Sequence, residues 1–224
     1  MPKYLKRSLV SPLLPRQSIL PIALMLLANL AAFYGTRLLN QSIPAHSMAT
    51  ALDAYIPFVP AMIVVYILAY AQWALGYLVL AHEPARSCWY FATAMVIAKF
   101  ICAACFVLYP TVMSGRPMPA GTDFISRLTA GVFRLDPTAD NLFPSIHCLD
   151  SWFFMRVFLA SPQASRGTRI ANCVFTAAVF ASVVLVKQHV AVDIPAGVAA
   201  AELGLLLARP LFRDLQRPAL WPKN

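Results

Sequence analysis

The stretch PFVPAMIVVYILAYAQWALGYLVL, from Pro57 to Leu80, decides the fold. At about 1.5 Å of rise per residue it is long enough to cross the roughly 30 Å hydrocarbon core of a bilayer as one helix. Further runs near that length occur at about 18 to 39, 90 to 110, 143 to 160, 170 to 187 and 190 to 208, the last three short and closely spaced. Composition agrees: 224 residues, 60% hydrophobic and 12% charged, with a mean hydropathy of +0.67, lie outside the range of soluble domains. The expected architecture is all-α, an integral membrane bundle of six transmembrane helices. It forms one domain over 18–208, preceded by a basic segment, 1–17, and followed by a basic tail, 209–224.

The net charge of +9 does not point to nucleic acid, because the basic residues sit between apolar runs instead of forming a stripe with interleaved aromatics. They set orientation. Lys and Arg on the side of both termini number twelve, against five on the other, Arg37, Arg116, Arg127, Arg134 and Lys187. Positive charge is retained in the cytoplasm, so both termini are predicted cytoplasmic, in a plasma or bacterial inner membrane. The first run is too long for a secretory signal and is read as a retained helix. Five scattered cysteines, an odd number, cannot complete a disulfide framework, and no chemistry is assigned to them.

The loop from about 111 to 142 contains Phe124, Ile125, Leu128, Val132 and Leu135 at helical spacing, with Asp123, Arg127 and Arg134 among them. A short interfacial helix on the outer leaflet is expected between the third and fourth spans.

Two histidine motifs stand out of the apolar background, Phe143-Pro144-Ser145-Ile146-His147 and Lys187-Gln188-His189-Val190-Ala191-Val192-Asp193. In the second, four residues of helix bring the carboxylate onto the face of the imidazole. A carboxylate that accepts from one ring nitrogen fixes the tautomer and raises the basicity of the other, which is then able to attack phosphorus. In the first, Pro144 marks a helix start with Ser145 and His147 in its first turn, where free N–H groups favour an anion. Arg116-Pro117 adds a guanidinium suited to a bidentate phosphate clamp. The predicted topology places Arg116, His147 and His189 on one extracytoplasmic face.

On these residues, and over roughly 90–208, the chain resembles the type 2 phosphatidic acid phosphatase superfamily, whose three motifs occur in the same order on a six-helix core. The resemblance implies His189 as the nucleophile of a phosphohistidine and Asp193 as its orienting partner. It implies His147 as the acid for the leaving oxygen, and Arg116 with Ser145 as phosphate binders. It also implies no metal or other cofactor and a membrane lipid as substrate. The expected function is a lipid phosphatase that hydrolyses a phosphomonoester or pyrophosphate.

Three departures qualify it. Where the family has lysine, with six residues between it and Arg116, this chain has Tyr109; the glycine before the first histidine is Ile146; the arginine after Ser182 is Val183. Lys187 is the nearest substitute cation, while Tyr109 and Asp150 are candidates for a supporting shell. Fewer cations suit a monoanionic phosphodiester better than a dianionic monoester. The chain is also similar to the sphingolipid synthases, which keep both histidines and the aspartate, so headgroup transfer to a lipid alcohol is the alternative. A small transporter or non-catalytic membrane subunit is the reading from a different class.

Two further expectations concern charge within the bilayer. Lys99 and Glu202 lie at similar depth and are predicted to pair, since an unpaired charge there is costly. Asp150, three residues after His147, either holds that imidazole or meets a polar group on a neighbouring helix.

Overall fold

The structure is a computed structural model that describes residues 13–40 and 42–212. Most of the basic N-terminal segment and of the tail therefore lies outside the described residues. What is described is all-helical, apart from isolated bridges joining His46 to Thr111 and Val112 to Asp140. In chain order the helices are α1 (Arg16–Leu39), α2 (Ala51–Tyr55), α3 (Ile63–Ala81), α4 (Ala85–Leu108), α5 (Phe124–Leu135), α6 (Ile146–Ala160), α7 (Arg166–Leu185) and α8 (Asp193–Ala208). A π-helical turn widens α1 over Ala31–Gly35, and 3-10 turns precede α3 and follow α8.

Helix starts follow the sequence chemistry. Pro84 stands immediately before α4, while Asp123, Ser145 and Ser165 cap α5, α6 and α7 by accepting from first-turn N–H groups that have no carbonyl partner of their own. Lys187, with φ of 56°, breaks the chain out of helix between α7 and α8.

Among the described residues, five helices are long and apolar enough to cross a membrane: α1, α3 with its leading turn, α4, α7, and α8 with its trailing turn. The run expected to make the fourth span, 143 to 160, yields the 15 residues of α6, because the chain through Ser145 is extended and helix begins only at Ile146. Eleven of those residues, Ile146 to Ser151, Phe153 to Met155, Val157 and Phe158, are buried. This makes α6 the central element, packed against α3, α7 and α8, with α4 gathering α1 and α8 on its other faces. Large apolar side chains face outward around this core, among them Leu27, Phe100, Leu108 and Val174.

Two glycines set how closely α8 approaches. A Cβ on Gly204 would lie 2.3 Å from the Ala94 carbonyl oxygen of α4, and one on Gly197 2.5 Å from that of Ser145 at the start of α6. Small residues at such contacts let backbones meet. The Ser145 N–H then donates to the Asp193 carbonyl at 3.2 Å, which joins the first residues of α6 and α8.

The buried ion pair differs from the one expected. Lys99 Nζ lies 2.6 Å from Asp150 Oδ1, both side chains being almost fully buried. Glu202 instead accepts from Trp152 Nε1 at 2.7 Å and pairs with Arg156. The cause is rotational phase: α8 meets α4 through Gly204, and two residues at about 100° each turn Glu202 away from that contact, toward α6.

Candidate functional site

His189 lies in the short segment between α7 and α8. The Val183 carbonyl at the end of α7 accepts from the N–H groups of both Gln188 and His189, each at 3.0 Å, and so fixes the turn. Asp193, the first residue of α8 and fully buried, receives the far side of the loop. Its Oδ2 lies 3.1 Å from His189 Nδ1 and accepts from the Val190 N–H at 3.0 Å. With Nδ1 held as a donor to the carboxylate, His189 keeps Nε2 as its basic nitrogen.

His147, in the first turn of α6, has its ring centroid 6.3 Å from that of His189. Three aromatic residues of α3, at i, i+4 and i+7, surround it: Tyr66 stacks at 4.1 Å, Trp73 lies at 5.0 Å and Tyr70 meets it edge-on at 5.4 Å. Trp73 is anchored in turn by donating to Ser151 Oγ at 3.0 Å. Both histidines line a cavity of about 900 Å³ bordered by α1, α3, α5, the start of α6 and the segment between α7 and α8. Its walls are largely apolar or aromatic, with Phe33, Ile67, Leu128 and Val132 beside the three aromatics of α3.

The cations are arranged differently from the sequence expectation. Lys187 does not line the cavity; its ammonium donates to the carbonyls of Asp53 at 3.0 Å and Ile56 at 2.6 Å. The left-handed turn at Lys187 points the side chain to the α2 segment, away from His189. The Arg116 guanidinium lies over the Phe133 ring, 3.9 Å from its centroid, and donates to the Asp136 carbonyl at 2.9 Å and to Gln188 Oε1 at 3.3 Å. Burial pushes its pKa down from the usual arginine value, against the pull of Asp136. Two other arginines line the cavity. Arg37 is matched by Asp140, 2.6 Å from its Nε, and by Asp136, while Arg127 is exposed.

Ser145 is fully buried and serves as the α6 cap, accepting from the Cys148 N–H at 3.2 Å. Asp150 turns to Lys99 and not to His147. Tyr109 stacks on His46, with centroids 4.5 Å apart, and does not line the cavity. Of the candidates, the structure brings His189, Asp193 and His147 together and leaves Arg116 one hydrogen bond behind the wall.

Several residues at the site lay outside the sequence reading. Tyr66, Tyr70 and Trp73 carry a signal in their helical spacing, and Gln188 in being a buried polar residue between two motif positions. Asp53 has one in the pattern Thr50-x-x-Asp53, a capping box that starts α2. Its Oδ1 accepts from the Ala191 N–H at 2.7 Å. Desolvation raises the Asp53 pKa, but hydrogen bonds from Thr50 and Ala191 and the nearby Lys187 charge outweigh it and hold the carboxyl below its usual range.

Among the described residues, no three His, Cys, Asp or Glu side chains gather into a group able to hold a metal ion. A scan of family models, a search of curated proteins and a search of solved structures each returned no match to this chain. The functional reading therefore rests on the geometry of the two histidines and Asp193.

Proposed function

We propose that this chain is a membrane enzyme of the type 2 phosphatidic acid phosphatase kind, which cleaves a lipid phosphoester through a phosphohistidine on His189. One observation carries the reading: a carboxylate-oriented imidazole faces a second, caged imidazole across a cavity with room for a phosphoryl group and apolar walls for acyl chains. His189 Nε2 attacks phosphorus while the bond to the leaving oxygen breaks, and protonated His147 gives that oxygen its proton. Water then attacks the phosphohistidine, gives a proton to His147 and frees His189, releasing inorganic phosphate where the substrate is a monoester and a phosphomonoester where it is a diester. With water as acceptor the protein is a lipid phosphatase.

A specific observation favours a second acceptor. No motif cation lines the cavity, since Lys187 and Arg116 both face elsewhere. A weakly cationic site suits a phosphodiester, and a lipid alcohol in place of water makes the enzyme a headgroup phosphotransferase.

The proposed setting is a six-span bundle with α6 as the fourth span, short because its helix begins only at Ile146. Both termini are cytoplasmic and the site opens to the outside. The amphipathic α5, whose Leu128 and Val132 line the cavity, lies at the outer interface. The test is incubation of purified protein with lipid phosphomonoesters, pyrophosphates and diester–alcohol pairs, in detergent with chelator, followed by mass spectrometry of acid-labile phosphate on the protein. Label confined to His189 and lost in His189→Ala supports the reading; turnover that survives His189→Ala sinks it.

A further inference from the structure

Among the described residues that line the cavity, His147 and Gln188 each have a buried side-chain nitrogen without a partner in the protein, Nε2 of the imidazole and the nitrogen of the amide. The first is the proposed proton donor. Gln188 is unused by anything in that mechanism, although it directly precedes His189 and is only 2% exposed. A buried donor without an acceptor is rare in folded proteins and points to a group that arrives later.

The orientation of this amide follows from its neighbour. Gln188 Oε1 lies 3.3 Å from Arg116 Nη1. A guanidinium only donates, so the atom facing it has to be the carbonyl oxygen, and the NH2 end is turned away from Arg116. Arg116 thus acts through Gln188 as a positioning residue.

We propose that the Gln188 amide donates to a non-bridging oxygen of the substrate phosphoryl group, and that this neutral donor makes the site select a monoanionic phosphodiester over a dianionic phosphomonoester. The ligand class rests on the phosphohistidine reading. Charge around the cavity agrees. Arg37 is matched by Asp136 and Asp140, Lys187 is held by two carbonyls of the α2 segment, and Arg127 is exposed and screened by water. A dianion carried to the histidines loses hydration with only the His147 imidazolium to offset its two charges, whereas the single charge of a diester is matched by that imidazolium together with N–H donors.

The experiment uses the full chain in detergent micelles with two soluble probes at mildly alkaline pH, dibutyl phosphate as monoanion and monobutyl phosphate as dianion. In protein carrying isotope-labelled glutamine, the Gln188 side-chain resonance is assigned by its loss in Gln188→Leu. It is expected to move on titration with dibutyl phosphate, in the wild type and in His189→Ala alike. Binding constants from phosphorus NMR are expected to favour dibutyl phosphate in the wild type. In Gln188→Glu, which keeps an acceptor for Arg116 but has no N–H, dibutyl phosphate binding is expected to weaken about tenfold or more. Gln188→Arg is expected to reverse the preference toward monobutyl phosphate.

A glutamine resonance indifferent to dibutyl phosphate overturns the proposal, and so does wild-type preference for the dianion. The resonance decides alone if Gln188→Glu does not fold. Gln188-dependent diester binding without His189-dependent turnover keeps this proposal and removes the phosphohistidine reading; turnover through His189 with binding blind to Gln188 does the reverse.

Discussion

Asp53 and Ala191 are 138 residues apart in sequence, yet the Asp53 carboxylate accepts from the Ala191 N–H at 2.7 Å and so holds the loop that carries His189. The same carboxylate caps α2, and Lys187 binds two carbonyls around it. The loop is thereby fixed from outside the bundle as well as from α8. Asp53→Ala is expected to destabilise the protein by about 1 kcal/mol through the lost cap and the unpaired N–H groups. It should also lower kcat more than it raises KM. Because the folded-state pKa of Asp53 is depressed, its contribution is present above the unfolded carboxylate value of about 4 and is lost as pH falls through the lower folded value. Melting curves of wild type and Asp53→Asn should therefore converge on acidification; a difference that grows in acid contradicts this.

In the proposed reaction Asp193 orients His189 without touching phosphorus. Asp193→Asn keeps the side-chain shape but offers either tautomer of the imidazole a partner, and turnover is expected to fall by roughly 10³ to 10⁴. Steady-state rates on the best lipid ester check it, with near-normal substrate binding as the second readout. An effect below tenfold removes Asp193 from the mechanism.

The acid role proposed for His147 predicts a dependence on leaving group. His147→Ala is expected to slow cleavage of a lipid alkoxide ester far more than that of a p-nitrophenyl ester, whose leaving oxygen needs no proton. Equal losses on both would assign His147 to positioning only. Tyr66→Leu, which removes the stacked ring, should weaken the same discrimination while leaving the Asp193 contact intact.

Lys99 and Asp150 form a buried pair in the bundle core. Removing one partner leaves an uncompensated charge, so Lys99→Met and Asp150→Leu are each expected to cost about 3 to 5 kcal/mol, and the double variant to recover most of it. Chemical denaturation in micelles measures this double-mutant cycle. Lys99→Glu combined with Glu202→Lys is expected to give no rescue, because Glu202 serves Trp152 and Arg156.

Gly197 controls the distance between the two histidine-bearing segments. Any Cβ there meets the Ser145 carbonyl and the Leu149 backbone, neither of which is a flexible side-chain end. Gly197→Val is expected to part α8 from α6 and abolish turnover, with a smaller loss for Gly197→Ala. Retention of full activity by the valine variant would show that the contact is not needed.

The apolar runs made the long helices legible because a membrane span needs only length and hydropathy, and Pro144 marked the start of α6, although Ser145 caps that helix instead of lying in its first turn. The His189–Asp193 pair was legible as a four-residue helical spacing, but His189 lies outside helix, and the contact forms because Asp193 opens α8 and its carboxylate turns back onto the loop. The partner of Lys99 was not, since sequence gives depth along a helix but not the rotation that Gly204 imposes. Nor was the direction of Lys187, which depends on a left-handed residue that no glycine advertises. Asp53 and Ala191 meet only through tertiary packing, and no local pattern connects positions so far apart.

The histidines and Asp193 come from residues 147–193, yet the aromatic walls around them come from α1 and α3, in the first 81 residues. If the proposed function holds, substitutions among the α1 side chains that line the cavity are expected to alter which acyl chain fits while leaving the contact between His189 and Asp193 untouched.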